Sequence, residues 1–278
     1  MTAPRIPLAA VVGSPVAHSL SPRLHGHWLR RYSLPGHYIP IDVAQGDLRE
    51  MLALLPRLGF VGLNVTIPHK ETILGLADIV TDRAALIGAA NTIIFRKDGK
   101  IHADNTDVTG FLASLRQSAP GWNAADGPAA VLGAGGAARA VVAALIEAGA
   151  PEVRIANRTR NRAETLRADL GARVTVFDWV QAGDMLDGAA TVVNTTALGM
   201  DGKPELRVPL DALRRDALVT DIVYRPLVTP FLRTAAAMGC RTVDGLGMLL
   251  HQAVPGFERW FGRRPEVDAE TRAAVLAP

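Results

Sequence analysis

The sequence has very little cysteine and few aromatic residues. Its single cysteine among 278 residues, Cys240, excludes an internal disulfide and any zinc site built from several thiolates. The seven histidines show no spacing typical of structural metal ligands, so no metal is expected. Aromatic residues make up only 5% of the chain, too few for the stacking surface of a nucleic-acid binder. We therefore expect a cytoplasmic protein with a buried, inert thiol.

The chain also lacks a large charge surplus and a long apolar run. Lys and Arg number 30 and Asp and Glu 27, a net charge of +3 that is too small to indicate a polyanionic partner. The most hydrophobic stretch, 129–150, is interrupted by Arg139 and Glu147, so no membrane span is expected. An early apolar run, 6–12, leads into Gly13-Ser14-Pro15 and is interpreted as a buried strand rather than a signal peptide.

Strand-like and helix-like segments alternate along the chain, which predicts an α/β fold. An Asp-Gly turn at 97–99 predicts a β-hairpin from 92–95 to 100–103, and hence a mixed sheet. From about 128 the order is that of a doubly wound, Rossmann-type domain. We expect further strands at 8–12, 37–43, 61–65, 129–132, 153–156, 174–177, 191–194 and 218–223, and helices at 22–32, 48–58, from near 69, and at 137–148, 162–170 and 245–261.

A glycine-rich turn follows the strand at 129–132. Gly133, Gly135 and Ala138 occupy the three small positions of the G-x-G-x-x-G/A pattern, with Gly136 and Ala137 at the start of the next helix. Such a turn lets the backbone approach a pyrophosphate, whose charge is stabilised by the helix N-terminus. A plain helix start is the simpler alternative, but the strand before the turn and the helix after it favour a dinucleotide site.

The strand at 153–156 is followed by basic residues rather than an acid. NAD enzymes of this layout place Asp or Glu here for the ribose hydroxyls, whereas this chain has Asn157 and then Arg158, Thr159 and Arg162. Guanidinium groups and a hydroxyl suit a 2′-phosphate, so NADP is favoured over NAD. A solvated basic helix start is the alternative, although arginines there oppose the helix dipole.

Two residues could serve carbonyl reduction. Lys70 follows the strand at 61–65, and Asp107 precedes a helix. A lysine beside a carboxylate can protonate the alkoxide that hydride delivery to a ketone leaves. Taken singly, Lys70 reads equally well as a solvated lysine and Asp107 as a helix N-cap.

Other polar residues occupy places where a ligand could bind. Ser19 and Ser21 precede a helix and could hold a carboxylate, although Ser21 also suits the N-cap. Asn91 lies just before a strand and is equally suited to a turn. Gln252 lies in an apolar helix, where its amide needs a partner from the protein or a ligand.

In combination these motifs resemble the shikimate dehydrogenase family, in the family's order over nearly the whole chain. The matching segments are SPVAHSLSP (14–22), NVTIPHK (64–70), GAANT (88–92), NTD (105–107), GAGGAARA (133–140), NRT (157–159), DIVYRPLVTPFL (221–232) and DGLGMLLHQA (244–253). The resemblance implies NADPH-dependent, reversible reduction of 3-dehydroshikimate to shikimate. It also implies a substrate domain of 1–106 plus 243–278 and an NADP domain of 107–242, as a monomer or homodimer.

The resemblance assigns roles to matching positions. Lys70 and Asp107 resemble the catalytic pair, with Lys70 the proton donor. The implied substrate contacts are Ser19, Ser21, Thr66, Lys70, Asn91, Asp107, Tyr224 and Gln252. The implied cofactor contacts are Gly133, Gly135, Gly136, Ala137, Asn157, Arg158, Thr159, Arg162, Thr195, Gly245 and Met248.

The chain departs from the family pattern at two positions. Ala197 lacks the hydroxyl that the family often has there, which puts a cofactor contact at that position in doubt, and His69 replaces a common phenylalanine. The alternatives are a quinate/shikimate dehydrogenase that uses NAD, and a non-catalytic regulator that binds NADP or shikimate. The first would need an acid after the second strand of the Rossmann-type domain, and a Thr in place of Ser21 would favour quinate; this chain has neither. The second would not need both Lys70 and Asp107.

Overall fold

The structure, a computed structural model, describes residues 6–277 and divides into two compact units. The first comprises the described residues up to Thr106 and those from Leu250 onward, and the second runs from Asp107 to Leu249. Residues 243–249, expected with the first unit, thus group with the second. The reason is local: residues 241–243 pair with the second sheet, and Gly245 approaches the backbone of Ile222 in the same unit.

The first unit is built on a six-stranded mixed sheet in the order β2-β1-β3-β5-β6-β4. Its elements up to residue 106 are β1 (Leu8–Gly13), α1 (Ser21–Arg31), β2 (His37–Asp42), α2 (Leu48–Leu54), β3 (Phe60–Val65), β4 (Ile79–Val80), α3 (Asp82–Ile87), β5 (Thr92–Phe95) and β6 (Ile101–Asp104). Strand β1 pairs in parallel with β2 and β3, while β5 runs antiparallel to β3 and β6. The expected mixed sheet and the hairpin with its Asp-Gly turn are therefore confirmed.

The second unit is built on a six-stranded, fully parallel sheet. The elements from residue 107 onward are α4 (Asp107–Ser118), β7 (Ala129–Leu132), α5 (Gly136–Glu147), β8 (Val153–Ala156), α6 (Arg160–Leu170), β9 (Val174–Phe177), β10 (Thr191–Asn194), β11 (Leu218–Asp221), α7 (Pro230–Ala237), β12 (Arg241–Val243), α8 (Leu246–Phe261) and α9 (Ala269–Leu276). The order β9-β8-β7-β10-β11-β12 is the doubly wound order 3-2-1-4-5-6, which confirms the Rossmann-type domain.

Burial explains why the strands were recognisable. All residues of β7, β10 and β11 are buried, as expected for parallel strands covered on both faces. Helix α5 begins directly after Gly135 and is rich in alanine, the strongest helix former. It therefore presents its N-terminus at the carboxyl end of β7.

Several element boundaries differ from those expected. No α-helix begins near His69: only a 3₁₀ helix forms, at Thr72–Leu76. The expected helix 48–58 ends at Leu54 and continues as a 3₁₀ helix, Leu55–Leu58, because Pro56 has no N–H for the α-helical ladder. The strand expected at 218–223 ends at Asp221, whose carboxylate accepts the Val223 N–H at 2.9 Å and turns the chain.

Among residues 6–277, no helix is long and apolar enough to cross a membrane. The same part of the chain contains no group of His, Cys, Asp and Glu residues that could hold a metal ion. The thiol of Cys240 is buried and forms no disulfide, which confirms the expected burial. Burial raises its pKa, in keeping with the prediction of an unreactive thiol.

Candidate active site

The register of the first sheet brings four chain segments to one edge. Val12 pairs with Val65, Asn64 with Thr92, and Thr92 with Asp104. The ends of β1, β3 and β6 and the start of β5 therefore lie together. The segments that follow or precede them contain the predicted residues Ser19, Ser21, Thr66, Lys70 and Asn91.

The segment after β3 is held close to the end of β1. The Ser14 N–H donates to the Ile67 carbonyl at 2.9 Å, and a Cβ on Gly13 would lie only 2.4 Å from the Thr66 methyl group. Farther along, the Lys70 carbonyl accepts the Ala90 N–H at 2.8 Å. Lys70, which is half-buried, is thereby fixed beside the residue that precedes Asn91.

A buried network of polar side chains joins this edge to α8. Asn91, only 2% exposed, donates through Nδ2 to Gln252 Oε1 at 3.1 Å and accepts the Thr106 N–H at 2.8 Å. The Thr106 hydroxyl donates to the Gln252 carbonyl at 2.8 Å. Asn91 is thus a polar partner of the kind expected for Gln252, and the hydrogen bonds fix the orientation of both amides.

The two serines at the start of α1 have local roles that differ from the N-cap role expected for Ser21. Helix α1 begins at Ser21 with Leu20 at its N-cap and no side-chain cap, so Ser21 is not the capping residue. Instead, Ser19 Oγ accepts the Ser21 N–H at 3.2 Å. Ser19 is half-buried and Ser21 is 4% exposed.

His69 is an interior residue. Its side chain is fully buried, and Nε2 donates to the Val43 carbonyl at 2.8 Å. The His69 imidazole, hydrogen-bonded to the backbone, therefore occupies an interior position at which a phenylalanine was expected from the resemblance.

In the second unit, Asp107 is the first residue of α4, not a residue preceding it, and is 3% exposed. An acid in the first turn of a helix is stabilised by the positive end of the helix dipole. The residue directly before Asp107 is Thr106, and the Thr106 hydroxyl belongs to the network around Asn91 and Gln252.

The point where the strand order reverses, between β7 and β10, contains the glycine turn. Gly133 has φ +115°, and a Cβ there would lie 2.5 Å from Thr195 Oγ1. The Thr195 hydroxyl itself donates to the Leu132 carbonyl at 2.7 Å. Gly133 is therefore required by its backbone conformation and by the close approach of the β10 loop.

The start of α5 is open to an anion. Gly135 forms the N-cap without a side-chain hydrogen bond, no acid lies in the first turn, and a Cβ on Gly135 would meet no atom within 4 Å. The amides of Gly136 and Ala137 are among the donors that a helix leaves unpaired at its N-terminus. This cradle fits the pyrophosphate of a dinucleotide.

The basic segment after β8 contains arginines with two different environments. Arg160 is engaged by Asp178 at 2.7 Å and Glu164 at 2.9 Å. Arg158 and Arg162 are exposed and form no ion pair with any residue of 6–277. Asn157, half-buried, donates to the Thr159 carbonyl at 2.8 Å.

The loop after β10 depends on residues that the sequence analysis did not single out. Asn194 donates to Asp221 Oδ1 at 3.0 Å and accepts the Thr196 hydroxyl at 2.8 Å. Thr229 donates to the other Asp221 oxygen at 2.8 Å, and burial raises the Asp221 pKa. Ala197 is exposed within a loop already held by its neighbours. The sequence offered one indication of Asp221, because this residue begins the family-like segment DIVYRP.

The remaining predicted residues of this unit follow β11 or begin α8. Tyr224 is half-buried and lies three positions after Asp221, the last residue of β11. A Cβ on Gly245 would lie 2.4 Å from the Ile222 carbonyl, so only glycine fits there. Met248, 8% exposed, lies in the first turn of α8.

The structure thus groups the predicted residues by unit. Ser19, Ser21, Thr66, Lys70, Asn91 and Gln252 belong to the first unit, and Asp107, Tyr224 and the predicted cofactor residues belong to the second. A cleft of about 310 Å³, lined by Trp122, Arg214 and Arg241 among others, contains none of them. It lies near the starts of β10 and β12, the opposite end of the second sheet from Gly133.

The Rossmann order and the open glycine turn at its switch point define a dinucleotide-binding protein. Family models match three parts of the chain: "Shikimate dehydrogenase substrate binding domain" at 11–93, "Shikimate / quinate 5-dehydrogenase" at 115–200 and "Shikimate 5'-dehydrogenase C-terminal domain" at 245–275. A curated relative from Cereibacter sphaeroides (strain KD131), "Shikimate dehydrogenase (NADP(+))", is 74% identical over 273 residues, 98% of both chains. The chain therefore belongs to the shikimate dehydrogenase family.

Solved structures agree with this membership. The shikimate 5-dehydrogenase of Thermus thermophilus, solved with NADP(H) and shikimate, superposes with a TM-score of 0.85 at 39% identity, covering 96% of this chain and 98% of that one. The quinate dehydrogenase of Corynebacterium glutamicum, solved with NAD, gives a TM-score of 0.88 at 32% identity, with coverages of 97% and 98%.

Proposed function

We propose that this protein catalyses the reversible, NADP-dependent reduction of 3-dehydroshikimate to shikimate. The observation that carries the proposal is the fixed Asn91–Gln252 amide pair, which lies at the same sheet edge as Lys70 in a member of this family. The high identity to a relative named shikimate dehydrogenase (NADP(+)) supports the same reaction. The family also supports a domain division into a substrate part and an NADP part.

Lys70 is the proposed proton donor. NADPH, when bound, supplies a hydride to the carbonyl carbon of the substrate, and the carbonyl oxygen must then gain a proton. The Lys70 ammonium provides that proton, and in the oxidative direction its amine takes the proton back. Asp107 is proposed as the second catalytic residue, as the family resemblance implies.

The rest of the first-unit cluster binds and orients the substrate. Ser19 and Ser21, with hydroxyls at the start of α1, are suited to the substrate carboxylate because a helix N-terminus favours an anion. Thr66, Asn91 and Gln252 provide hydroxyl and amide groups for the ring hydroxyls, and Tyr224 in the second unit is proposed as a further contact. Amides with fixed orientation bind hydroxyls with little entropic cost.

The second unit is proposed to hold the cofactor. Gly133, Gly135, Gly136 and Ala137 are proposed to form the pyrophosphate cradle. Thr195 is proposed as a further cofactor contact, and Gly245 and Met248 as residues on the nicotinamide side. Asn157, Thr159 and the exposed Arg158 and Arg162 are suited to the 2′-phosphate of NADP. These side chains suit NADP better than NAD, since β8 is followed by Asn157 and not by an acid that could bind the 2′-hydroxyl of NAD.

A quinate/shikimate dehydrogenase that uses NAD is the second candidate. The likeness to the Corynebacterium glutamicum quinate dehydrogenase favours it, whereas Ser21 and the basic segment after β8 favour shikimate and NADP. A non-catalytic regulator is disfavoured because the chain has both Lys70 and Asp107. A cytoplasmic location and a monomeric or homodimeric state stay predictions.

A four-way assay tests the proposal. Purified protein is given shikimate or quinate with NADP+ or NAD+, and cofactor reduction is followed by its absorbance. We expect kcat/KM for shikimate with NADP+ to exceed the other combinations by at least about tenfold, the effect of one lost charge-assisted contact. Equal or better rates with quinate or NAD+ would favour the second candidate, and no turnover with any pair would favour a regulator.

A further inference from the structure

The observation that suggests a further role is a tyrosine hydroxyl buried next to the polar network of the first unit. Tyr38 on β2 is 7% exposed, and its hydroxyl donates to Asn64 Oδ1 at 2.7 Å. Asn64 on β3 is 5% exposed and belongs to no set of site residues discussed above. The two side chains meet across β1, which lies between their strands.

Small residues on one face of the sheet make this contact possible. Tyr38 pairs with Ala9, and Ala9 pairs with Gly62, so all three occupy the same face. A Cβ on Gly62 would lie 2.0 Å from the Trp260 indole nitrogen. The absence of bulk at Ala9 and Gly62 therefore leaves room for the Tyr38 phenol and the Trp260 indole.

The phenol ring itself is held in one orientation. The His25 imidazole stacks on it with ring centroids 3.8 Å apart and an interplanar angle of 1°. Trp260 lies against it at 6.1 Å and is anchored by its own hydrogen bond to the Ile93 carbonyl at 3.0 Å. A ring clamped in this way presents its hydroxyl at a fixed point.

The Tyr38 hydroxyl determines which way the Asn64 amide points. Since Oδ1 accepts from Tyr38, Nδ2 faces the opposite side and donates to the Asn91 carbonyl at 3.2 Å. The side chain of Asn91 in turn donates to Gln252 Oε1 at 3.1 Å. Asn64 Nδ2 also donates to Thr92 Oγ1 at 3.4 Å, and Thr92 Oγ1 donates to Asn91 Oδ1 at 3.1 Å, so Asn64 is linked to Asn91 at its backbone and, through Thr92, at its side chain. Tyr38, Asn64, Asn91 and Gln252 are all buried members of this one network.

We propose that Tyr38 is a positioning residue that acts through Asn64 on the Asn91–Gln252 pair. The inference rests on the proposed function, in which that pair binds the ring hydroxyls of the substrate. Tyr38 lies outside the substrate set and contributes by orienting the amides before the substrate arrives. Its loss should weaken binding of substrate and transition state alike, which raises KM and leaves kcat nearly unchanged.

Tyr38→Phe tests the proposal because it removes the hydroxyl and keeps the ring that stacks on His25. We expect KM for shikimate to rise about tenfold, with KM for NADP+ unchanged and kcat within about twofold, in line with the loss of one buried hydrogen bond. Tyr32→Phe is the matched control. It removes a tyrosine hydroxyl from the same unit, one that accepts the Glu266 N–H at 3.0 Å, and should leave both KM values as they are.

A double-mutant cycle identifies the route of the effect. Asn64→Leu removes the intermediate amide, and Tyr38→Phe in that background should change KM by less than about twofold, because the path from Tyr38 to Asn91 is already broken. Additive effects would show that Tyr38 does not act through Asn64. If Tyr38→Phe lowers Tm but leaves KM for shikimate unchanged, Tyr38 stabilises the fold and does not position the substrate-binding amides.

Turnover of shikimate by the unmodified chain distinguishes failure of this proposal from failure of the proposed function on which it rests. If the unmodified chain turns over shikimate while Tyr38→Phe keeps the parent's KM, only the role of Tyr38 is overturned. If the unmodified chain has no turnover with shikimate, the proposed function fails, and the role of Tyr38 fails with it.

Discussion

Gly133 approaches Thr195 so closely that a Cβ on Gly133 would lie 2.5 Å from the Thr195 hydroxyl oxygen. Gly133 also has φ +115°, in the region that side-chain-bearing residues avoid. We expect Gly133→Ala to lower the free energy of unfolding by roughly 2–4 kcal/mol, the sum of backbone strain and overpacking. Urea unfolding monitored by circular dichroism measures this change.

Gly135→Ala is the matched comparison for that substitution. Its φ is −93°, and a Cβ there would meet no atom within 4 Å. Stability should change by less than about 1 kcal/mol, while the added methyl group enters the proposed pyrophosphate cradle and weakens NADP+ binding. If Gly135→Ala destabilised the fold as much as Gly133→Ala, the distinction between a packing glycine and a binding glycine would be wrong.

The arginines after β8 give a second prediction. Arg158→Ala should raise KM for NADP+ about tenfold and leave KM for NAD+ unchanged, because NAD lacks the 2′-phosphate that the guanidinium is proposed to bind. Arg160→Ala is the control, since Arg160 is already engaged by Asp178 and Glu164. Initial rates with both cofactors measure the effect, and an equal loss with NAD+ would exclude a role specific to the phosphate.

The sequence predicted the doubly wound order and the strands of both sheets except β4 and β12, which have two and three residues. Short apolar runs bounded by Gly, Pro and Asn give a clear signal when both faces of a sheet are buried, as in β7 and β10. The helix expected near His69 was wrong. After Thr66 the chain includes Pro68 and folds into turns, with the His69 N–H donating to the Thr66 carbonyl at 2.9 Å. The Lys70 carbonyl accepts the Ala90 N–H at 2.8 Å, and the Leu74 N–H donates to the Glu71 carbonyl at 3.3 Å, so the segment forms a 3₁₀ helix instead of an α-helix.

The candidate site was less accessible from the sequence than the fold. Gln252 could be singled out because a polar side chain in an apolar helix needs a partner, and Asn91 because its amide lies just before a strand. Their partnership could not be predicted, since they are 161 positions apart and only the tertiary fold brings them to 3.1 Å. The Tyr38–Asn64 contact left no signal either, because it depends on the small size of residues on the intervening strand.

Lys70 gives the most direct test of the catalytic proposal. Lys70→Ala should lower kcat about 10²- to 10⁴-fold, the usual contribution of a positioned general acid, with a smaller change in KM for shikimate. Lys100→Ala, in the exposed hairpin turn, is the control and should keep the parent's kcat. Near-normal turnover of Lys70→Ala with shikimate and NADP+ would remove Lys70 from the chemistry.

His25 makes the stability of the first unit sensitive to acid. Burial lowers the pKa of this fully buried imidazole to about 3, and the neighbouring Asn64 opposes part of that shift. Between this value and about 6.5, the unfolded chain therefore binds a proton at His25 that the folded chain does not. Above about pH 6.5 His25 is neutral in both states and costs no stability. Below that pH, the free energy of unfolding falls by about 1.4 kcal/mol per pH unit because only the unfolded chain takes up the proton.

His25→Phe should reduce this acid sensitivity, because phenylalanine can stack on Tyr38 but cannot take up a proton. We expect the variant to lose roughly 2 kcal/mol less free energy of unfolding than the parent between about pH 6.5 and about pH 5. Some slope should remain, since burial also lowers the pKa of His27 and of His251. His37→Gln, which alters an exposed histidine of the same unit, should retain the parent's slope. Urea titrations at the two pH values decide the matter, and identical slopes for His25→Phe and the parent would show that the buried imidazole is not the acid-sensitive group.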